Sequence, residues 1–216
     1  MYRAVIFDMD GVIVDSEAAY LKRRLDFFNR LGEIPEHTQL QDFVGLSNEA
    51  VWQQLVSDAK KRERLKRKYD QYQNENPIQY QKYLMPHVID FLEEIHVQKK
   101  KVALASASNP QHITLMLSQC QLSKYFDVVI SGENVKRNKP FPDIYLKASE
   151  QLAVLPAECL VIEDSFNGIL AAKRAKMDVW ALKPKNYTID QKSANCIFQN
   201  FIEMKAHLID WQKVSD

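Results

Sequence analysis

The chain has 216 residues, 46% of them hydrophobic and 26% charged, enough for one or two globular domains with a substantial core. Lysine and arginine total 29 against 28 acidic residues, and the net charge of +1 gives no global field that would draw nucleic acid or an anionic membrane. Cys120, Cys159 and Cys196 are widely spaced, which excludes a disulfide scaffold and a zinc ribbon and suits a reducing compartment. The N-terminus has no basic segment leading into a long apolar stretch, and no apolar run nears the roughly 18 residues of a spanning helix. The expectation is a cytoplasmic protein with no signal peptide and no membrane or nucleic-acid partner.

In chain order, Ala4-Val5-Ile6-Phe7 comes first, an unbroken apolar run of the kind found in a parallel strand covered on both faces. Asp8 and Asp10 follow at its carboxyl end, and Gly11 permits a sharp turn. Ligands of open α/β sheets gather just beyond the carboxyl ends of strands. Two hard oxygen donors there suit Mg²⁺, and a carboxylate beside that ion can attack phosphorus.

Residues 16–80 change in texture. Leu21, Leu25, Phe28 and Leu31 recur at helical spacing, and so do Val51, Leu55 and Ala59, within a segment rich in Lys, Arg, Gln and Glu. No strand is predicted there. Asp15 and Ser16 read as helix caps, and Pro86 marks a break near the far end. The basic run 60–68 reads as a solvated helix face, with Lys68 its best candidate for contact with a substrate phosphate. His37, His87, His96, His112 and His207 lack ligand spacing, and Trp52, Trp180 and Trp211 read as packing residues.

From about residue 100 onward, strands and helices alternate. Val102–Ala105, Phe126–Ile130, Leu160–Ile162 and Val179–Leu182 read as strands, with helices over 110–122, 142–152 and 167–176 between them. The expected fold is therefore α/β: a Rossmann-like parallel sheet core of residues 1–15 and 84–216, with a small all-helical cap of residues 16–83 inserted after the first strand. Three more polar features fall at strand ends. The Ser106 hydroxyl, with nearby backbone N–H groups, can hold a phosphate oxygen. Lys139-Pro140, read as opening a helix, offers charge to a nucleophile and a phosphoryl group. Glu163-Asp164 supplies the further carboxylate that an octahedral Mg²⁺ site needs.

This set of motifs resembles the haloacid dehalogenase superfamily over essentially the whole chain. Asp8-Met9-Asp10-Gly11-Val12 through Asp15-Ser16 is similar to its first motif in the form used by phosphatases and mutases. Ser106 within Ala105–Asn109 resembles the second, Lys139-Pro140 the third, and Glu163-Asp164-Ser165 with Asn167-Gly168 the fourth. The insert, with Arg67–Tyr72, resembles the β-phosphoglucomutase-like subgroup. The resemblance implies that Asp8 is the nucleophile, forming an aspartyl-phosphate, and that Asp10 is the acid and then the base. It implies Mg²⁺ on the Asp8 carboxylate, the Asp10 backbone carbonyl and Asp164, with Glu163 either a ligand or one step behind the ion. Ser106, Ala107, Asn109, Lys139 and Lys68 would hold the substrate, under a cap that hinges shut.

Some positions depart from the mutase pattern. Tyr20 stands where a histidine is expected, Asn48 follows Ser47 where an arginine after Gly45-x-Ser would clamp a second phosphate, and His87 follows Pro86 in place of glycine. Loss of the arginine favours a Mg²⁺-dependent phosphatase acting on a small phosphorylated metabolite, such as a sugar phosphate. A β-phosphoglucomutase-type phosphomutase is the alternative, and a phospho-accepting signalling or non-catalytic binding module is the alternative from another class. The sequence leaves the oligomeric state open, a monomer being compatible with it.

Overall fold

The computed structural model describes residues 2–43, 46 and 48–215, with side chains to residue 210. Gly45, Ser47 and the side chain of Trp211 lie outside the described residues. By contacts, the chain divides into two compact units, Met1–Val14 with Tyr80–Asp216, and Asp15–Gln79. Among the described residues, no helix is long and apolar enough to cross a membrane.

The first unit is built on a six-stranded sheet, all parallel, of β1 (Ala4–Phe7), β2 (Lys101–Ser106), β3 (Val128–Ser131), β4 (Cys159–Glu163), β5 (Asp178–Leu182) and β6 (Cys196–Phe198). Their order across the sheet is β3-β2-β1-β4-β5-β6. The chain leaves β1 toward one edge through β2 and β3, then returns to lay β4 on the other side of β1. This reversal makes the boundary between β1 and β4 the topological switch point, the place beyond whose strand ends open α/β sheets bind their ligands.

Alternation in β1 explains why the run is wholly apolar. Ala4 and Ile6 join a core with Ala103, Ala105, Val161, Val179 and Ala181 of the sheet, packed by α6 (Asp143–Leu152) and α7 (Phe166–Arg174). The alanines on this face let the helices come close. On the opposite face larger rings fill the space: Phe7 meets Phe91 of α4 (Val88–Val97) edge-on at 6.0 Å, and Phe91 meets Phe201 of α8 (Phe201–Ser215) at 5.4 Å. All four residues of β1 are fully buried, so a polar group can enter the chain only where the strand stops.

The second unit holds α1 (Glu17–Arg30), α2 (Asn48–Leu55) and α3 (Ala59–Glu75), and no strand among its described residues. Leu21, Phe27, Phe28, Val51, Trp52, Leu55, Leu65 and Tyr69 form its core. Two periodicity expectations fail at helix ends: Leu31, the residue after α1, is 39% exposed, and Ala59, the first residue of α3, is exposed. Ser16 does occupy the position before α1, but its side chain makes no capping hydrogen bond. Asp58 caps α3, accepting from Lys61 N–H at 2.6 Å.

Candidate active site

Asp8 lies one residue past β1, and its backbone N–H still bonds the Ile162 carbonyl of β4 at 3.0 Å. The following loop is wound around a single atom. The Met9 carbonyl accepts from the N–H groups of Val12, Ile13 and Val14 at 3.3, 2.8 and 3.1 Å. Met9 itself is fully buried, so the two carboxylates at i and i+2 turn away from it. Gly11 has φ +82°, a conformation side-chain-bearing residues seldom take, and a Cβ there would lie 2.1 Å from Asp164 Oδ2. Glycine is thus required twice, for the turn and for the approach of Asp164.

Glu163 ends β4 and is fully buried, with its carboxylate saturated. Oε1 accepts from Lys139 Nζ at 2.8 Å and from the Tyr145 hydroxyl at 2.9 Å. Oε2 accepts from the N–H groups of Asp164 and Ser165 at 2.9 and 2.8 Å and from Ser165 Oγ at 2.9 Å. Five donors meet a group with about four lone-pair directions. Gly168 leaves room for it: a Cβ there would sit 1.5 Å from Oε1.

Lys139 Nζ links the two strand ends, donating to Asp8 Oδ1 at 2.5 Å while bonded to Glu163, and lies 5.0 Å over the Tyr145 ring. It does not open a helix, as the sequence suggests. It sits in the connection before α6, joined to Pro140 by a cis peptide, and α6 begins at Asp143 after Pro142. Burial works against the Lys139 ammonium, but Asp8 and Glu163 outweigh it and hold its pKa well above the usual lysine value. Burial likewise opposes the Glu163 carboxylate, and Lys139 overcomes it, keeping Glu163 below the ordinary range. Asp8 is left as the weaker acid of the pair. Burial pushes it up to about 7, with Lys139 pulling down and Glu163 and Asp10 pushing further up.

Ser106 ends β2 and is 1% exposed; its Oγ accepts from Ser108 N–H at 3.0 Å. Ser108 in turn donates to Asp10 Oδ2 at 2.7 Å, while its carbonyl accepts from Ser131 Oγ of β3 at 2.8 Å. The carboxyl ends of β1, β2, β3 and β4 are therefore joined by side chains. Ala107 is exposed beside this chain of serines, and Asn109 serves as the cap of α5 (Pro110–Gln119), accepting from His112 N–H at 2.9 Å. Lys68 belongs to the helical unit and is exposed on α3. The rest of the basic run is largely paired: Lys61 and Arg64 with Glu33, Arg62 and Lys66 with Glu49.

Oxygen atoms of Asp8, Glu163 and Asp164, one from each, all lie within 4.8 Å of one another. Carboxylate oxygens in a buried cluster that carries a single lysine suit a hard divalent cation such as Mg²⁺. Tyr145, Ser108, Tyr187 and Gln191 were not singled out as site residues from the sequence. Ser108 lay inside a motif already noted, whereas the other three had no local pattern to mark them.

The family model for haloacid dehalogenase-like hydrolases matches residues 5–182. The chain belongs to this family. A phosphorylated carbohydrates phosphatase of Thermotoga maritima is 35% identical over 190 residues, spanning 81% of this chain and 82% of the relative. Hexitol phosphatase B of Escherichia coli is 32% identical over 180 residues, spanning 81% and 80%. Among solved structures, a putative β-phosphoglucomutase of Thermotoga maritima superposes with a TM-score of 0.77 at 28% identity, covering 97% of this chain and 99% of that one. The chain is a hydrolase of this family with the expected α/β, Rossmann-like core.

Proposed function

We propose that this hydrolase removes phosphate from a small phosphorylated carbohydrate through an aspartyl-phosphate on Asp8. One observation carries the reading: Asp8, placed at the switch point, is held by Lys139, which Glu163 fixes in turn. In this reading an Asp8 carboxylate oxygen attacks phosphorus in line, forming one P–O bond as the bond to the sugar oxygen breaks. Asp10 gives its proton to that leaving oxygen, then takes one from the water that hydrolyses the acyl phosphate. Ser108, bonded to Asp10, orients this carboxyl group. Lys139 neutralises charge on the phosphoryl oxygens, and the Ser106 hydroxyl holds one of them.

Asp8, Asp164 and the Asp10 carbonyl would hold Mg²⁺, which when bound supplies positive charge to the nucleophile and the phosphoryl group. Glu163 is assigned to Lys139 rather than to the ion, because donors already occupy both its oxygens. The relatives named for phosphorylated carbohydrates and hexitol support the carbohydrate class.

A phosphomutase reading has one observation in its favour. The arginine absent at position 48 is partly replaced, since Arg24 Nη2 donates to Asn48 Oδ1 at 3.0 Å. The deciding experiment measures phosphate release from an aryl phosphate and a panel of sugar and polyol phosphates with Mg²⁺, beside isomerisation of a sugar phosphate primed with a bisphosphate. Release by the wild type, lost by about 10⁴-fold or more in Asp8→Asn, is expected of a covalent nucleophile. Absence of release together with primed isomerisation would replace the phosphatase by the mutase. Absence of both, unchanged in Asp8→Asn, would end the enzymatic reading.

A further inference from the structure

The connection between β5 and β6 carries two side chains that converge on Asp164. Gln191 is 5% exposed and donates from one amide nitrogen to two carbonyls, Asp164 at 2.6 Å and Leu182 at 2.9 Å. Both acceptors are carbonyls, so only the amide NH₂ can face them. The last paired residues of β4 and β5 are Glu163 and Ala181, one position earlier on each strand. Gln191 thus carries the joining of the two strands one step past the sheet. Tyr187, four residues before it, donates its hydroxyl to Asp164 Oδ2 at 3.2 Å. Asp164 N–H bonds Glu163 Oε2 at 2.9 Å, and Gly11 leaves the space that Oδ2 occupies. Asp164 is therefore fixed at its nitrogen, its carbonyl and its carboxylate by separate groups.

We propose that Tyr187 and Gln191 are positioning residues, outside every motif of the chain, that set the Asp164 carboxylate for a divalent cation. The inference rests on the reading of Asp164 as a ligand. A carboxylate that swings about its side-chain bond must be ordered when a cation binds, whereas one already held by a hydroxyl needs less ordering. Groups that hold a ligand from behind typically change metal affinity by about 10–100-fold when removed.

The test uses the full chain with Mn²⁺ as probe, free ion being counted by its paramagnetic resonance signal. In Tyr187→Phe the Mn²⁺ dissociation constant is expected to rise about tenfold or more. Its unfolding midpoint in chelator should stay near the wild-type value, since Tyr187 is only half-buried and water can take the place of its hydroxyl. Aryl-phosphate turnover should fall at limiting Mg²⁺ and recover at saturating Mg²⁺. Gln191→Leu, of similar volume, should weaken Mn²⁺ in the same direction at temperatures where it is folded. Mn²⁺ affinity within twofold of wild type in Tyr187→Phe overturns the proposal, as does a turnover defect that saturating metal does not relieve. Asp164→Ala separates the two levels. If it leaves Mn²⁺ binding intact, the ligand reading fails; if it abolishes binding while Tyr187→Phe does not weaken it, only the positioning role fails.

Discussion

The two compact units compensate buried charge in different ways. In the α/β unit one face of the sheet is packed with aliphatic side chains and the other with rings, and a buried ion network lies at the strand ends, where Lys139 bridges Asp8 and Glu163 with side-chain exposures of 8, 11 and 0%. In the helical unit the interior is aromatic. Trp52 and Tyr69 lie 5.4 Å apart edge-on, Phe27 and Tyr69 5.3 Å, and Phe28 and Trp52 6.1 Å. Even its buried cation, Arg23, is compensated by a phenol and ring faces: Nε donates to Tyr69 Oη at 3.0 Å, and the guanidinium lies 5.7 Å from both the Tyr20 and Tyr69 centroids. Carboxylates of the helical unit pair at the surface, as Glu33 and Glu49 do. A buried ion network is costly unless every member is paired. Among the described residues, the paired carboxylate–lysine network lies at the strand ends of one unit, whereas the other sets its buried arginine among aromatic groups.

Removing Lys139 should break this comparison hardest. Lys139→Met leaves Asp8 and Glu163 buried without a counter-charge, an expected loss of about 3–5 kcal/mol in denaturant unfolding. Turnover of an aryl phosphate should fall with it by about 10²-fold or more. Unchanged stability would mean that the edge is not held by the ion pair. In the helical unit, Tyr69→Phe keeps the ring but removes the oxygen that Arg23 Nε needs, costing about 1.5–3 kcal/mol. Hydrogen exchange should show the loosening confined to residues 15–79; spread across the sheet would contradict the division into units. Gly168→Ala forces a methyl group against Glu163 and should destabilise by about 1–3 kcal/mol. An Ala variant as stable as wild type would show that the Glu163 carboxylate can move.

The smallest effect is acid sensitivity of the helical unit. Lys61 holds Glu33 below the usual carboxyl value, Ser57 does the same for Glu36 through its N–H and hydroxyl, and Lys66 for Glu49. A depressed folded pKa stabilises above the unfolded value of about 4.5 and loses that stabilisation as pH falls through the folded one. Exchange protection over 15–79 should therefore drop in the acid range. The drop should shrink in high salt, because these groups are exposed or half-exposed. A drop that salt leaves untouched would point to a buried group instead.

Much of the acidic edge could be read from residues alone, because a buried parallel strand announces itself as an apolar run and the first polar residue after it must lie at the edge. Asp8, Ser106, Glu163 and Asp164 follow that rule. The sequence points to Lys139 but suggests the wrong place for it in the fold, since Pro142 rather than Pro140 abuts the helix. β6 escaped because Cys196-Ile197-Phe198 is three residues long and at the sheet's edge, with Ile197 48% exposed. Tyr145 reads as an ordinary helix core residue until its hydroxyl is seen on Glu163. Tyr187 and Gln191 sit in a connection without periodicity, and only the folded chain brings them to Asp164.

The Met9 carbonyl, with its three amide partners, also makes the loop from Asp8 to Val14 a built-in gauge of the edge. The N–H protons of Val12, Ile13 and Val14 exchange with solvent only when that one oxygen lets them go, and Asp8 and Asp10 flank the residue that carries it. Three backbone protons can thus be followed, residue by residue, to learn when the two carboxylates lose their spacing, without substrate, metal or turnover.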